Sequence, residues 1–366
     1  MKITFRVDAS VDIGSGHLMR CITLADSLRE KGAEVSFIMR HLPDSLSVFI
    51  KERGYKYFLL PDTQEFVGKD INSYERWLGV SVYTDADQTK NILKMQKKSD
   101  LIIIDHYALD IYWEKHIRPF TKKIMVIDDL ANRIHDCDLL LDQNLYRDML
   151  TRYKGLIPGN CRMLLGPQYA LLRKEIMEAR RKLIQRDGYV KRILVFFGAS
   201  DPDNATAKAL EAVYMFNRSD ISVCVIVGKI NPNKDKIKKM CSQIPNTSYL
   251  CQVGNMGELM VDSDLAIGAG GSTMWERCFL GLPSIILIIA DNQYNTTVEV
   301  ARHGAAWNLG FNKDVTKDNI LSLLNNAVNN PPKLIDMSAR AIKLMGDKNS
   351  GNLDSLIEII MGETNV

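Results

Sequence analysis

This chain of 366 residues is defined first by what it lacks. Its seven cysteines contain no C-x-x-C pair, and an odd, scattered set argues against a disulfide framework or a structural zinc site. Cys21, Cys224 and Cys278 lie in apolar runs and read as core, which fits a reducing cytoplasm. No apolar run approaches the ~20 residues of a membrane helix. The longest, "LPSIILIIA" from Leu282, reads as a buried strand, so no membrane span is expected. The N-terminal "MKITFRVD" brings Arg6 and Asp8 before any apolar core could form, and does not read as a signal peptide. Net charge is only +3 and the basic residues are spread out, which argues against a nucleic-acid partner. No G-K-[ST] follows a glycine loop, so a P-loop is not expected. The histidines other than His17 (at 41, 106, 116, 135 and 303) show no ligand spacing, and neither a metal site nor a cofactor is expected.

What is present is a βα rhythm. "KITFRVD", "AEVSFIM", "LIIIDHY", "KIMVIDD" and "LLLDQN" read as strands separated by helical patterns. The near-pure apolar run at Leu101 is that of a strand buried on both faces of a parallel sheet. The rhythm breaks over residues 148–190 and restarts with "KRILVFFGAS", "ISVCVIVG", "TSYLCQV", "DLAIGAGGS" and "PSIILIIA". The expectation is an α/β protein with two Rossmann-like domains, 1–150 and 151–366, facing each other across a ligand cleft. The stretch after about Pro331 reads as helical, and its last helix is free to return to the first domain. "YKYFLLP" at Tyr55 is a weak candidate for a lipid-facing patch.

Chemistry is expected where strands end and helices begin. Three such turns are rich in glycine or small residues: "DIGSGH", "FGASDPDN" and "IGAGGST". The first lacks the third glycine of a dinucleotide fingerprint, having Met19 there, and the next strand runs into Met39 and Arg40 rather than an acid. Gly14 and Gly16 leave room for a ligand beside His17. A histidine at a helix N-terminus is either a packed structural residue or, kept neutral by the dipole, a general base. Asp8 and Asp12 are both candidates to orient it. In "GAGGSTMWE", Gly270, Gly271, Ser272 and Thr273 could hold a diphosphate and Glu276 two ribose hydroxyls. The competing reading is a capping box. Tyr107, after Asp105 and His106, either emerges at the ligand edge of the sheet or is a surface tyrosine in a turn. Asn292 either caps a helix or binds sugar. Phe66, Tyr74 and Trp77 fall in a polar stretch that could shape the pocket.

The ordered set "RVDASVDIGSGHLMRCITLA", "LIIIDHY", "FGASDPDN", "AIGAGGSTMWE" and "LPSIILIIADNQ" resembles the UDP-2,4-diacetamido-2,4,6-trideoxy-β-L-altropyranose hydrolases of pseudaminic acid biosynthesis. That family is similar to the N-acetylglucosamine transferase of peptidoglycan synthesis, with its GT-B fold. The resemblance spans residues 1–310. It implies a cytoplasmic hydrolase that needs no metal, with His17 as the base activating water. Tyr107 and Asn292 would contact the sugar, and the backbone near Val253 would pair with uracil. Gly271, Ser272 and Thr273 would hold the diphosphate, Glu276 the ribose, and Ser200 and Asn204 would line the same site. The loop reads "GAS" where two glycines are usual. A UDP-sugar glycosyltransferase of the same fold, a non-catalytic UDP-sugar binding module, and hydrolysis of a different amino sugar remain the alternatives.

Overall fold

The computed structural model describes residues 1–10, 13–62, 74–96, 98–346 and 353–362. Among them the chain forms two all-parallel sheets. The first contains β1 (Lys2–Val7), β2 (Glu34–Met39), β3 (Lys56–Leu59), β4 (Ser99–Asp105), β5 (Thr121–Ile127), β6 (Leu139–Asp142) and β7 (Arg162–Leu165), in the order β3-β2-β1-β4-β5-β6-β7. The second contains β8 (Arg192–Phe196), β9 (Ser222–Val227), β10 (Thr247–Cys251), β11 (Leu265–Ala269), β12 (Ser284–Ile288) and β13 (Trp307–Phe311), in the order β10-β9-β8-β11-β12-β13. Both repeat the doubly wound pattern, and the winding reverses between β1 and β4 and again between β8 and β11.

The apolar runs become central strands because both faces are covered. In the first sheet Ile3, Phe5 and Val7 join Leu101, Ile103, Met125 and Ile127 in the core on one face. The alternate residues Ile102, Ile104, Ile124 and Val126 build the core on the other. The expected strands are all present. The sequence reading missed β3, β7 and β13. The stretch considered as a lipid-facing patch is edge strand β3, paired with β2.

One compact unit comprises Met1–Asn144, Asp148–Leu171 and the final helix Leu353–Met361. The other comprises Leu145–Arg147 and the chain from Leu172 through the helix Pro331–Leu344. The division falls at Leu171/Leu172 rather than at 150/151. β7 pairs with β6, and Gln143 Oε1 accepts the Leu171 backbone N–H at 3.0 Å, so this segment is tied to the first sheet. The last helix buries Leu356, Ile357 and Ile360 in the first unit's core, packed against the helix Gly16–Glu30. Cys21, Cys224 and Cys278 are buried, and all seven cysteines are free thiols.

Candidate active site

The first unit's site lies at the winding reversal. After β1 the chain turns through Gly14, whose φ of +77° favours glycine and whose N–H donates to Ser10 O at 2.9 Å. Gly16 opens the helix, which places His17 in its first turn opposite the end of β4. There His17 Nδ1 lies 2.6 Å from Asp105 Oδ1. Arg20, one turn further along the helix, forks onto the same carboxylate with Nε and Nη2 both at 2.6 Å. Burial alone would raise the Asp105 pKa. Arg20 and His17 overcome this and hold the carboxyl well below its usual range. An ionised carboxylate only accepts, so Nδ1 carries the proton and donates it, and Nε2 keeps its lone pair. The Arg20 Nη2 group, 3.1 Å from Nδ1, is then a neighbouring cation and not a donor to it.

Asp105, a carboxylate not considered for this role from the sequence, therefore orients His17, and Asp8 does not. Asp8 is committed elsewhere: its Oδ1 accepts Arg6 Nη1 at 2.7 Å and the Arg40 backbone N–H at 2.6 Å. Asp12 lies outside the described residues. A carboxylate ending the strand next to β1 was a readable signal, but the "DHY" motif drew attention to its tyrosine.

Tyr107 is buried, not a surface residue in a turn. Its hydroxyl donates to Asp129 Oδ1 at 2.5 Å, and its ring meets the His17 imidazole edge-on at 4.6 Å. Asp129, which follows β5, also accepts from Arg20 Nη1 at 3.3 Å and Asn144 Nδ2 at 3.2 Å. Tyr74 and Trp77 complete an aromatic cluster, with centroids 5.1 and 5.8 Å from that of Tyr107. Phe66 lies outside the described residues. Gly14, Gly16, His17 and Tyr107 thus come together; Arg20, Asp105 and Asp129 were not anticipated.

In the second unit, Gly271, Ser272 and Thr273 form the turn from β11 into the helix Thr273–Phe279. Gly270 is required, because a Cβ there would lie 2.1 Å from Thr297 Oγ1. The capping-box reading fails: Ser272 at the N-cap makes no side-chain cap, and Glu276 sits one residue too late. Glu276 is instead buried against Arg173, accepting Nε at 2.7 Å and Nη2 at 2.9 Å. Ser200 is exposed in the turn after β8. Asn204 precedes the next helix without capping it, and its Oδ1 is buried with no partner. The cap comes from Asp201, which takes the backbone N–H groups of Ala205 and Thr206. Asn292 is exposed in a short turn after β12, while Gln293 Oε1 accepts the Ile289 N–H at 3.2 Å beside Gly271. Val253 follows β10 at the far edge of this sheet, with β9 and β8 between that strand and β11.

Among the described residues no cluster of His, Cys, Asp and Glu could hold a metal ion, and no helix is long and apolar enough to cross a membrane.

The chain is similar to several known proteins in sequence and fold. Residues 192–351 match the glycosyltransferase family 28 C-terminal domain. An uncharacterized protein of Methanocaldococcus jannaschii is 28% identical over 78% of this chain, which spans about half (55%) of that relative's length. The UDP-2,4-diacetamido-2,4,6-trideoxy-β-L-altropyranose hydrolase of Campylobacter jejuni is 28% identical over 83% of this chain and 97% of its own. The crystal structure of Acinetobacter baumannii MurG matches with a TM-score of 0.67 at 12% identity, covering 99% of both chains. The resemblance read from the motifs is therefore borne out, and the fold is GT-B.

Proposed function

We propose that this protein is a nucleotide-sugar hydrolase that splits UDP-2,4-diacetamido-2,4,6-trideoxy-β-L-altropyranose into UDP and the free sugar, in pseudaminic acid biosynthesis. The observation that carries the reading is the His17–Asp105 pair, with Arg20 locked onto the far side of the carboxylate. It leaves His17 Nε2 as a base, beside the rings of Tyr107 and Trp77. The likeness to the Campylobacter jejuni hydrolase supports the substrate.

In this reading the second unit holds UDP: Gly271, Ser272 and Thr273 take the diphosphate, Glu276 the ribose and the Val253 backbone the uracil. Ser200, Asn204 and Asn292 supply further polar contacts, Asn292 to the sugar. The first unit supplies the base and, through Tyr107 and the Gly14–Gly16 turn, the sugar pocket. His17 Nε2 takes a proton from water as the water oxygen bonds to the anomeric carbon. The bond from that carbon to the diphosphate oxygen breaks, UDP departs with the electron pair, and the configuration inverts. Asp105 stabilises the imidazolium, which then releases its proton to solvent. Such a base contributes a factor of about 10²–10⁴. No metal step is needed in this scheme, and the free thiols fit a reducing cytoplasm.

The test is incubation with the UDP-diacetamido sugar, and with UDP-N-acetylglucosamine as control, without acceptor, followed by proton NMR. Release of inverted sugar and UDP from the first substrate alone, abolished in His17→Ala while UDP still binds, is the expected result. UDP binding without release in the wild type would favour transfer to an acceptor, the chemistry named by the family 28 match, or a binding module.

A further inference from the structure

Building on the nucleotide reading above, we propose that Arg277 is the buried counter-charge of the bound diphosphate and acts through the hydroxyl of Thr273. Two arginines are fully buried among the described residues, Arg6 and Arg277. Arg6 lies between two carboxylates, Asp8 and Asp85. Arg277 has none. Its guanidinium donates to Ala269 O at 2.7 Å, Ser284 Oγ at 3.1 Å and Thr273 Oγ1 at 3.4 Å, all neutral acceptors. The neighbouring Glu276 carboxylate is taken by Arg173. Burial lowers the Arg277 pKa to about 10, which still leaves it cationic at neutral pH. A buried cation without an anion is costly to the fold. It is understandable where an anion arrives from outside.

The position fits that role. Ala269 is the last residue of β11 and Thr273 the first of the following helix, so the guanidinium lies against both ends of the Gly270–Ser272 turn. A Cβ on Gly268 would lie 2.5 Å from the Phe196 carbonyl oxygen and 2.9 Å from Arg277 Nη1, so glycine there keeps room for both. Because Arg277 donates to the Thr273 oxygen, the Thr273 proton turns away from the guanidinium and is free to donate to a phosphate oxygen. The charge acts from within a low-dielectric core, where it is screened little by salt. The ligand chemistry that uses it is a nucleoside diphosphate, in preference to a monophosphate or a nucleoside. Arg277 is thus a positioning residue, separated from the ligand by Thr273.

The test is calorimetric titration of UDP and UMP, with saturation-transfer NMR for uridine, on the wild type, Arg277→Gln, Arg277→Lys and Thr273→Val. Arg277→Gln is expected to weaken UDP binding at least ten-fold and UMP binding less, with uridine unchanged. Arg277→Lys should keep most of the UDP affinity. Thr273→Val, at a half-buried position, keeps the proposal testable if Arg277→Gln fails to fold; it should lower UDP affinity and spare uridine. UDP affinity unchanged in Arg277→Gln or Thr273→Val, or equal losses for UDP and uridine, would overturn the proposal. A wild type that binds uridine and UDP equally would also overturn it. A wild type that binds none of the three would overturn the nucleotide reading itself.

Discussion

His17 Nδ1 and Asp105 Oδ1, 88 positions apart in the chain, lie 2.6 Å from each other because β1 and β4 are neighbours in the sheet. Arg20 fixes the carboxylate from the other side. Replacing Asp105 by Asn lets the amide donate to Nδ1, which moves the lone pair away from Nε2. We expect kcat to fall by about two to four orders of magnitude with UDP binding retained. Steady-state kinetics beside UDP titration would show it; a KM effect alone would contradict the assignment.

Asp85 receives Arg6 Nη2 at 2.6 Å, Arg40 Nη2 at 2.9 Å and Trp113 Nε1 at 2.9 Å; Arg6 and Trp113 are fully buried and Arg40 partly so. Among the described residues, Asp85→Ala leaves Arg6 with Asp8 as its one carboxylate and Arg40 with none, only the neutral acceptors Gln88 and Pro61 O. The expected cost is about 3–5 kcal/mol, the range for breaking a buried ion pair. Urea denaturation measures it, and a loss under 1 kcal/mol would show that water replaces the carboxylate freely.

Gly270 and Thr297 form a steric lock, since the missing Cβ would meet the Thr297 hydroxyl at 2.1 Å and nothing else closer than 3.4 Å. Gly270→Ala should therefore reduce UDP affinity and melting temperature. Adding Thr297→Ala should restore both, whereas Thr297→Val, which keeps an atom at that place, should not. Equal behaviour of the two double variants would count against a local clash.

Asp142 gives a pH signature. Burial, reinforced by Asp129, pushes its carboxyl up to about 8. The unfolded chain has an ordinary value near ~4, so folding takes up a proton between these limits. This contribution to stability is full below about pH 4 and is lost as the pH rises towards 8. His106, which burial lowers to about 4, slopes the opposite way, losing stability as the pH falls from its unfolded value. The readout is therefore the difference between variants: the melting temperature of Asp142→Asn should gain on the wild type from pH 5 to pH 8. A constant difference would show that Asp142 stays ionised.

Much of this was legible in advance. The apolar runs at Ile103, Val225 and Ile286 could only be buried strands, and the glycine turns marked their ligand-facing ends. β3 and β13 were missed because edge strands need little apolar sequence: Lys56 is exposed, and no residue of β13 is buried. β7 was missed because its exposed Arg162 and Met163 lie in a segment read as a break.

The sequence by itself determined the local chemistry: a histidine in a glycine-bordered first helical turn, small-residue loops after parallel strands, and the period of the two repeats. These depend on neighbours a few residues apart, where backbone preference and hydrophobic period act. Only the tertiary structure decided which carboxylate faces His17, that Glu276 pairs with Arg173, that the final helix returns to the first core, and that Arg277 is buried without a carboxylate. Each of these is a partner choice between residues distant in sequence. Such choices are made by strand order and by the cost of burying an unpaired charge, neither of which is written in any one stretch of the chain.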